Sequence, residues 1–243
     1  MGGMLAVTLI ALPLVVIDPG HGGPHDGARG ICGVLEKDVV LEIGRELAQI
    51  LEASGQARTL LTRGDDRNVE LEARAEIANR REAAVFVSIH ANASSSRKHA
   101  GVETFFLSNE STEERHQALV TRENEGRSLG ASKKSSPLDA LLGRLAHEAS
   151  HQESQRLAIR LHDELARHTP YRARGVMQAP FIVLKGAAMA AALVEVGFLT
   201  HVDQCQKLAR RRYQRRVATH LAGGIIAHLK AEAAAHGSAA LTR

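Results

Sequence analysis

The hydrophobic positions of this chain alternate between continuous runs and a helical repeat. Residues 15–18 form a continuous run that ends in a Gly/Pro turn, which predicts a buried strand, and residues 39–51 carry apolar side chains every three or four positions, which predicts a helix. Ser54 and Gly55 end that helical pattern. The same criteria predict further strands at 57–62, 84–89, 102–107, 181–184 and 192–196, and further helices at 70–81 and 217–229.

Strands that alternate with helices are typical of α/β proteins. We therefore predict a mostly parallel, twisted sheet with helices on both faces, in a single domain at residues 15–232 with tails at 1–14 and 233–243. The chain has 243 residues, of which 44% are hydrophobic, and this is enough apolar material for a core of that size.

One long segment, residues 109–168, lacks any strand signal. It consists of charged, helix-like sequence around a Gly/Ser/Lys patch at 130–137, and it is longer than a connection in a compact domain needs to be. We interpret it as an inserted helical segment; the alternative is a packed helical hairpin whose role is only structural. The segment carries an apolar stripe, which either packs on its own domain or meets a partner: Leu138, Leu141, Leu142 and Leu145.

Composition narrows the classes of partner. Only 3% of the residues are aromatic, so the stacking platforms of proteins that bind single-stranded nucleic acid are scarce, and we expect no nucleic-acid partner. The net charge of +4 favours an anionic partner or surface. The arginines at 210–212 and 215–216 indicate a solvated basic face rather than a glycan contact. Arg74 and Asn79, on the helix predicted at 70–81, either brace nearby loops or cap them.

Neither a membrane span nor a secretory signal is predicted. The apolar run at 4–17 is too short to cross a bilayer, and it lacks the basic start and the small-residue cleavage site of a signal peptide. Cys32 and Cys205 lie far apart and form no Cys-x-x-Cys motif, so their spacing leaves open whether they pair.

Four side chains with metal-binding or acid–base chemistry lie at one predicted edge of the sheet. His21, His90 and Glu195 follow or end predicted strands, and Glu36 opens the first helix beside the loop of His21. Each has an ordinary explanation: a surface histidine, or a carboxylate that favours a helix dipole. Glu195 is the exception, because it lies in an apolar run where an unpaired carboxylate is costly.

Together these residues offer a zinc site. Two imidazoles and one carboxylate can hold Zn²⁺ and leave a fourth tetrahedral position open for water, and a second carboxylate can take the proton of that water. Amide hydrolysis is the natural chemistry of such a set. The spacing alone is weak evidence, because no His-Glu-x-x-His motif places two ligands on one helix face.

Five motifs in order carry a family resemblance: Asp-Pro-Gly-His-Gly-Gly at 18–23, Glu-Lys-Asp-Val-Val-Leu at 36–41, Leu-Thr-Arg at 61–63, Ser-Ile-His-Ala-Asn at 88–92 and Val-Glu-Val-Gly-Phe at 194–198. By these motifs the chain resembles the zinc-dependent N-acetylmuramoyl-L-alanine amidases of the amidase-3 type. The resemblance implies that His21, Glu36 and His90 bind zinc and that Glu195 is the catalytic acid/base. It further implies hydrolysis of the amide between N-acetylmuramic acid and L-alanine in peptidoglycan.

The segment at 109–168 is similar to the extra helical segment of the periplasmic cell-separation amidases of Gram-negative bacteria, including their Arg-Glu-Asn pattern at 122–124. The resemblance implies autoinhibition in which a carboxylate of the segment occupies the open zinc position. Glu123 is the candidate for that carboxylate, and Glu125 is the near alternative. The resemblance also implies an activator with a LytM domain and a periplasmic location, and we expect a monomer.

Two other functions remain open from the sequence. A zinc exopeptidase that acts on small peptides uses the same ligand types, and it needs an arginine clamp for the terminal carboxylate. A non-catalytic wall-binding module would instead hold its metal with four protein ligands, which closes the coordination sphere. Exposed histidines elsewhere in the chain also offer adventitious metal binding.

Overall fold

The computed structural model describes residues 11–108, 116–125 and 137–241, and the side chains of all of these except 137–149 and 236–241. A six-stranded sheet forms its centre, in the order β2-β1-β3-β6-β4-β5. Neighbouring strands are parallel, with the exception of the antiparallel pair β4–β6. The strands are β1 at Leu14–Pro19, β2 at Arg58–Leu61, β3 at Val85–Asn92, β4 at Val102–Leu107, β5 at Ala173–Ala179 and β6 at Ala190–Phe198.

Helices cover both faces of the sheet, as expected for an α/β protein. One face packs against the first, fourth and last helices, and the other face packs against the second helix and the short third one. The helices are α1 at Glu36–Ala53, α2 at Leu71–Arg80, α3 at Gln117–Glu123, α4 at Pro137–His168, α5 at Val202–Leu208 and α6 at Arg211–Leu241.

Side-chain alternation along the central strands separates the two halves of the core. On β3, Val87 and Ile89 belong to the cluster beneath α1, α4 and α6, whereas Phe86 belongs to the cluster beneath α2 and α3. His90 therefore points to the α3 face. On β6, Val194 faces the first cluster, so Glu195 also points to the α3 face.

The carboxyl ends of β1, β3 and β6 meet at one edge of the sheet, where their loops form the candidate site. Because β4 runs antiparallel to β6, the beginning of β4 lies at this same edge. Glu103 of β4 stands directly opposite Glu195 in the strand register, and His90 of β3 stands opposite Glu195 on the other side.

Part of the predicted inserted segment at 109–168 packs in the main core of the domain. The second half of α4 is part of the main core: Leu157, Leu161 and Leu165 are buried in the cluster with α1 and α6. The Ser154 hydroxyl also accepts a hydrogen bond from the backbone N–H of Ala191 on β6, at 2.9 Å. The stripe at 138–145 lies outside the described side chains. Helix α6 continues to Leu241, past the predicted domain end at 232.

One predicted strand is not a strand, and one strand was not predicted. The apolar run at 181–184 is a buried 3₁₀ turn at Ile182–Leu184 and not a strand, because Pro180 lacks an N–H for strand pairing and Gly186, with a φ of 80°, ends the turn. The strand β5 was not predicted, since its sequence Ala-Arg-Gly-Val-Met-Gln-Ala shows no clear alternation and lies at the edge of the sheet.

The two cysteines, whose state the sequence left open, form a disulfide between Cys32 and Cys205, with 5.9 Å between the Cα atoms. The bond ties the loop that precedes α1 to helix α5. None of the helices in the described part of the chain is long and apolar enough to cross a membrane.

Candidate metal centre

The loop that follows β1 turns sharply and carries His21. His21 adopts a left-handed backbone conformation with a φ of 59°, and Gly22 and Gly23 continue the turn with φ values of 118° and 58°. Gly20 lies against the imidazole of His90, and a Cβ atom at this position would overlap that ring. The glycines around His21 therefore allow two strand ends and their histidines to approach each other closely.

Two buried arginines hold this loop in place. Arg63 donates to the carbonyls of Pro19 and Gly20 at 2.9 and 2.7 Å, and Arg74 donates to the carbonyls of Pro19 and His21 at 2.9 and 2.8 Å. Arg74 also forms a 2.8 Å ion pair with the buried carboxylate of Asp18. Arg74 was predicted either to brace or to cap nearby loops, and these contacts show that it braces the loop of His21. Burial lowers the pKa of Arg63 to about 10.

Glu36 begins α1 and is completely buried. Its Oε2 accepts a 2.7 Å hydrogen bond from the N–H of Ala28, and its Oε1 accepts one of 2.9 Å from the N–H of Ala91. A carboxylate in the first turn of a helix also gains from the helix dipole. Although burial disfavours its ionised form, the neighbouring His21 lowers the pKa of Glu36 to about 2.

Four ligand atoms converge at the centre of the site. Oε1 of Glu36 lies 3.0 Å from Nε2 of His21 and 3.1 Å from Nδ1 of His90. Oε2 of Glu123, from α3, lies 3.2 Å from the same His21 atom and 2.8 Å from the same His90 atom. Burial alone would lower the pKa of His21, but the carboxylates of Glu36 and Glu123 raise it to about 9.

This arrangement fits a tetrahedral zinc ion. A tetrahedron with zinc–ligand distances of about 2.0–2.1 Å has edges of about 3.3 Å, close to the four distances above. Nε2 of His21 and Oε2 of Glu123 are buried, and neither makes a hydrogen bond of acceptable geometry in the described structure. Buried polar atoms normally have a partner, and a metal ion held between these four residues would supply it.

Glu195 lies beside this cluster. It is fully buried on β6, opposite His90 in the strand register, and neither of its carboxylate oxygens has a hydrogen-bond partner among the described residues. Burial raises its pKa well above the usual range, and the negative charges of Glu123 and Glu36 raise it further. A carboxyl group with such a pKa next to a metal cluster is typical of a catalytic acid or base.

Glu123 is fixed in position by its neighbour Arg122. The guanidinium of Arg122 contacts Oε1 of Glu123 at 2.7 Å, which leaves Oε2 directed at the two histidines. Arg122 also donates to the carbonyl of Ala93 at 3.2 Å. Burial opposes ionisation of Glu123, but His90, His21 and Arg122 hold its pKa well below the usual range.

Helix α3 closes the site. Both ends of the buried Asn124 amide bind backbone, because its Nδ2 donates to the carbonyl of Pro180 at 2.8 Å and its Oδ1 accepts from the N–H of Ile182 at 2.8 Å. The cavity left beside the histidines measures about 10 Å³, which is room for about one water molecule. Among the described residues, Glu123 of α3 therefore occupies the space beside the two histidines.

The structure brings together His21, Glu36, His90 and Glu123, and it places Glu195 next to them. Glu125, the alternative to Glu123, instead lies at the rim, with a carboxylate oxygen 3.5 Å from His25.

Glu103, which was not predicted as a site residue, is buried at the same edge and accepts hydrogen bonds from Arg174 at 2.6 Å and Asn92 at 2.9 Å. Site residues were predicted where strands end, whereas Glu103 lies near the beginning of β4. The helix prediction did single out Asn79, which binds the backbone of the loop at 186–188.

Comparison with known proteins identifies the family of this chain. The family model described as N-acetylmuramoyl-L-alanine amidase matches residues 15–227. The chain is 32% identical over 218 residues to AmiC of Escherichia coli O6:H1, an alignment that covers 88% of this chain and 52% of AmiC. It is 34% identical over 221 residues to AmiA of Escherichia coli K12, with 88% and 75% covered. The chain thus spans about half the length of AmiC and three quarters of AmiA.

Solved structures show the same architecture. The AmiC2 amidase of Nostoc punctiforme superposes with a TM-score of 0.68 at 33% identity, over 90% of this chain and 97% of that one. An N-acetylmuramoyl-L-alanine amidase of Clostridium difficile superposes with a TM-score of 0.70 at 27% identity, over 91% and 98%. The mostly parallel sheet with helices on both faces is therefore confirmed.

Proposed function

Since the chain belongs to the N-acetylmuramoyl-L-alanine amidase family, we propose that it is a zinc enzyme that hydrolyses the bond between N-acetylmuramic acid and L-alanine in peptidoglycan. The observation that carries the proposal is the convergence of His21, Glu36 and His90 on one buried point. The relatives compared above are named as amidases, which favours this activity over that of an exopeptidase.

His21, Glu36 and His90 are the three ligands of the active enzyme in this proposal. When bound, Zn²⁺ supplies a Lewis acid that polarises the substrate carbonyl and acidifies a water molecule. The backbone N–H groups of Ala28 and Ala91 hold the Glu36 carboxylate in position, so this ligand needs no rearrangement on metal binding.

Glu195 is the general base and general acid. It takes a proton from the attacking water and passes it to the leaving amine of L-alanine. Its buried position next to His90 keeps the carboxylate close to the reacting atoms. Displacement of Glu123 removes a negative charge that raises the pKa of Glu195, so opening of the site prepares this residue to accept a proton.

The described conformation is the autoinhibited one in this proposal. Glu123 supplies a fourth ligand, which blocks the position that water and substrate need. The bidentate contact of Asn124 with the backbone at 180–182 holds α3 over the site, and the remaining space is about 10 Å³. Activation then requires a partner that binds the open form of α3 better than the closed form.

We further propose that this partner is a LytM-domain protein and that the enzyme works in the periplasm during cell-wall remodelling and daughter-cell separation. The disulfide between Cys32 and Cys205 supports an oxidising compartment. The apolar stripe at 138–145 is the proposed docking surface for the activator.

Digestion of purified sacculi tests the amidase activity. The protein, with its activator or with the Glu123→Ala substitution, should release stem peptides without forming new reducing sugar ends. Chelation of zinc should stop the release, and added zinc should restore it. A protein that cleaves free-carboxylate peptides but leaves muramoyl peptides intact would instead be an exopeptidase. If the Glu123→Ala variant still held zinc with four protein ligands and hydrolysed no substrate, the protein would be a non-catalytic module.

A further inference from the structure

A second group of metal-binding side chains lies between α4 and α6, outside the site described above. Glu164 and His168 come from α4, and His220 comes from α6. One nitrogen or oxygen atom from each of the three lies within 4.8 Å of the others. The imidazole rings of His168 and His220 stack with their centroids 3.8 Å apart and an angle of 9° between their planes.

Two glycines bring the helices close enough for this contact. A Cβ atom at Gly224 would lie 2.9 Å from the Cα of Leu161, so α6 lies almost directly on the backbone of α4 there. A Cβ atom at Gly223 would lie 3.4 Å from Oε2 of Glu164. Glu164 and His168 are four residues apart, which places both on one face of α4. Across the helix interface this face meets His220.

The hydrogen bond of His168 fixes where its proton lies. Nδ1 of His168 is 2.9 Å from the carbonyl oxygen of Glu164. A carbonyl oxygen only accepts, so Nδ1 carries the hydrogen and Nε2 of a neutral ring keeps its lone pair. Metal-binding histidines are commonly oriented in this way by a backbone carbonyl.

The group is open to solvent and able to adjust. The side chains of His168 and Glu164 are 45% and 24% exposed. The lone pairs of two parallel rings do not converge on one point, so a tilt of the more exposed ring, that of His168, is needed before both nitrogens face one ion. Arg167 contacts Oε1 of Glu164 at 3.0 Å and competes with a cation, which makes the site weaker than the buried one.

We propose that Glu164, His168 and His220 form a second site, which binds a divalent transition metal ion such as Zn²⁺, Ni²⁺ or Cu²⁺ and links α4 to α6. Imidazole with one carboxylate is a donor set suited to these ions. The remaining coordination positions face solvent, so the ion acts as a reversible clamp between two helices and not as a catalyst.

Equilibrium dialysis against Zn²⁺ tests the proposal on the full chain. A His21→Ala/His90→Ala variant removes the histidines of the buried centre, and it should still bind one equivalent. Adding His220→Gln or Glu164→Gln should abolish that equivalent, whereas adding His99→Gln, at an exposed histidine elsewhere, should not. If the double variant fails to fold, the wild-type chain should bind two equivalents and its His220→Gln variant one.

Two spectroscopic and thermal readouts complete the test. Cu²⁺ bound to the His21→Ala/His90→Ala chain should give an electron paramagnetic resonance spectrum with coupling to two imidazole nitrogens. Adding His220→Gln to this chain should remove the coupling to one of them. Zn²⁺ should raise the Tm of the His21→Ala/His90→Ala chain but not that of the same chain with Glu164→Gln. Equal zinc binding by the His220→Gln and His99→Gln variants would overturn the proposal and indicate adventitious binding. Neither result depends on the amidase activity.

Discussion

Oε2 of Glu123 lies 2.8 Å from Nδ1 of His90, inside a site that leaves space for about one water molecule. The contact joins the short helix α3 to the carboxyl end of the central strand β3. A single side chain of α3 thus reaches a nitrogen atom that binds zinc in the proposed enzyme.

Removal of this carboxylate should raise the basal activity. We expect Glu123→Ala to release peptides from sacculi about 10- to 100-fold faster than the wild type without an activator, the range of a coupling of 1–3 kcal/mol. Glu125→Ala is the matched control, since that side chain faces His25 at the rim, and its basal rate should stay at the wild-type level. An unchanged rate in both variants would remove the idea of a blocking carboxylate.

Loss of the Asn124 contacts should act in the same direction. Asn124→Ala breaks both backbone hydrogen bonds that hold α3, so the basal rate should rise several-fold and respond less to an activator. Asn79→Ala removes a similar pair of backbone contacts, to Gly186 and Ala188, on the other side of the loop. That control should lower the Tm but leave the basal rate unchanged. Equal basal rates in the two variants would contradict a role for Asn124 in closure.

Glu195→Gln should abolish catalysis without loss of metal. In the Glu123→Ala background we expect kcat to fall by about 10²- to 10⁴-fold, the usual contribution of a general acid/base, while the zinc content stays at that of the parent. Metal analysis together with the sacculus assay separates the two effects. Retention of most of the activity would show that another group moves the proton.

Gly20→Ala should damage the metal centre. A Cβ atom at this position overlaps the imidazole of His90, so the ring must move away from His21 and Glu36. We expect the zinc affinity to fall by at least about tenfold, measured by competition with a chromophoric chelator. Gly64→Ala is the control, since a Cβ atom at Gly64 meets no other atom within 4 Å. Similar affinities in the two variants would show that the close packing is unimportant.

The stability of the fold should fall in mild acid because of His228. Burial, with help from Arg160 and Arg156, lowers the pKa of this α6 histidine from 6.5 to about 4. Between these values the unfolded chain binds more protons than the folded one, so the free energy of unfolding decreases as the pH falls. We expect a loss of roughly 1–3 kcal/mol between pH 7 and pH 4 from this group.

Urea unfolding at several pH values checks this expectation. In His228→Leu the decrease between pH 6.5 and pH 4 should become shallower, whereas the exposed control His99→Leu should keep the wild-type slope. Identical slopes in the His228→Leu variant and the wild type would assign the acid sensitivity to other groups.

Much of the fold followed from local pattern. The strands β1 and β3 and the helix α1 carry long apolar runs or repeats, so their positions were predicted to within a few residues. The run at 181–184 failed because four consecutive apolar residues suit a buried turn as well as a strand. The edge strand β5 failed because Arg174 and Gly175 break its pattern.

The site was predictable only as far as its residues end parallel strands or begin helices. His21, His90 and Glu36 do so, but Glu103 lies near the beginning of β4, which together with β5 runs opposite to the other strands, and nothing local to the sequence fixes that direction. The pairing of Cys32 with Cys205 is equally a property of the tertiary fold, because it joins a loop to a helix that lie far apart in the chain.

Arg63 and Arg74 occupy the carbonyl oxygens of Pro19, Gly20 and His21 without any help from a metal. These hydrogen bonds come from the protein alone, so in the proposed zinc enzyme the loop of His21 would hold its shape before the ion binds, in contrast to zinc fingers, whose folding depends on metal. Loss and return of the ion would then need no refolding, and the supply of zinc would decide how many molecules are competent at a given moment.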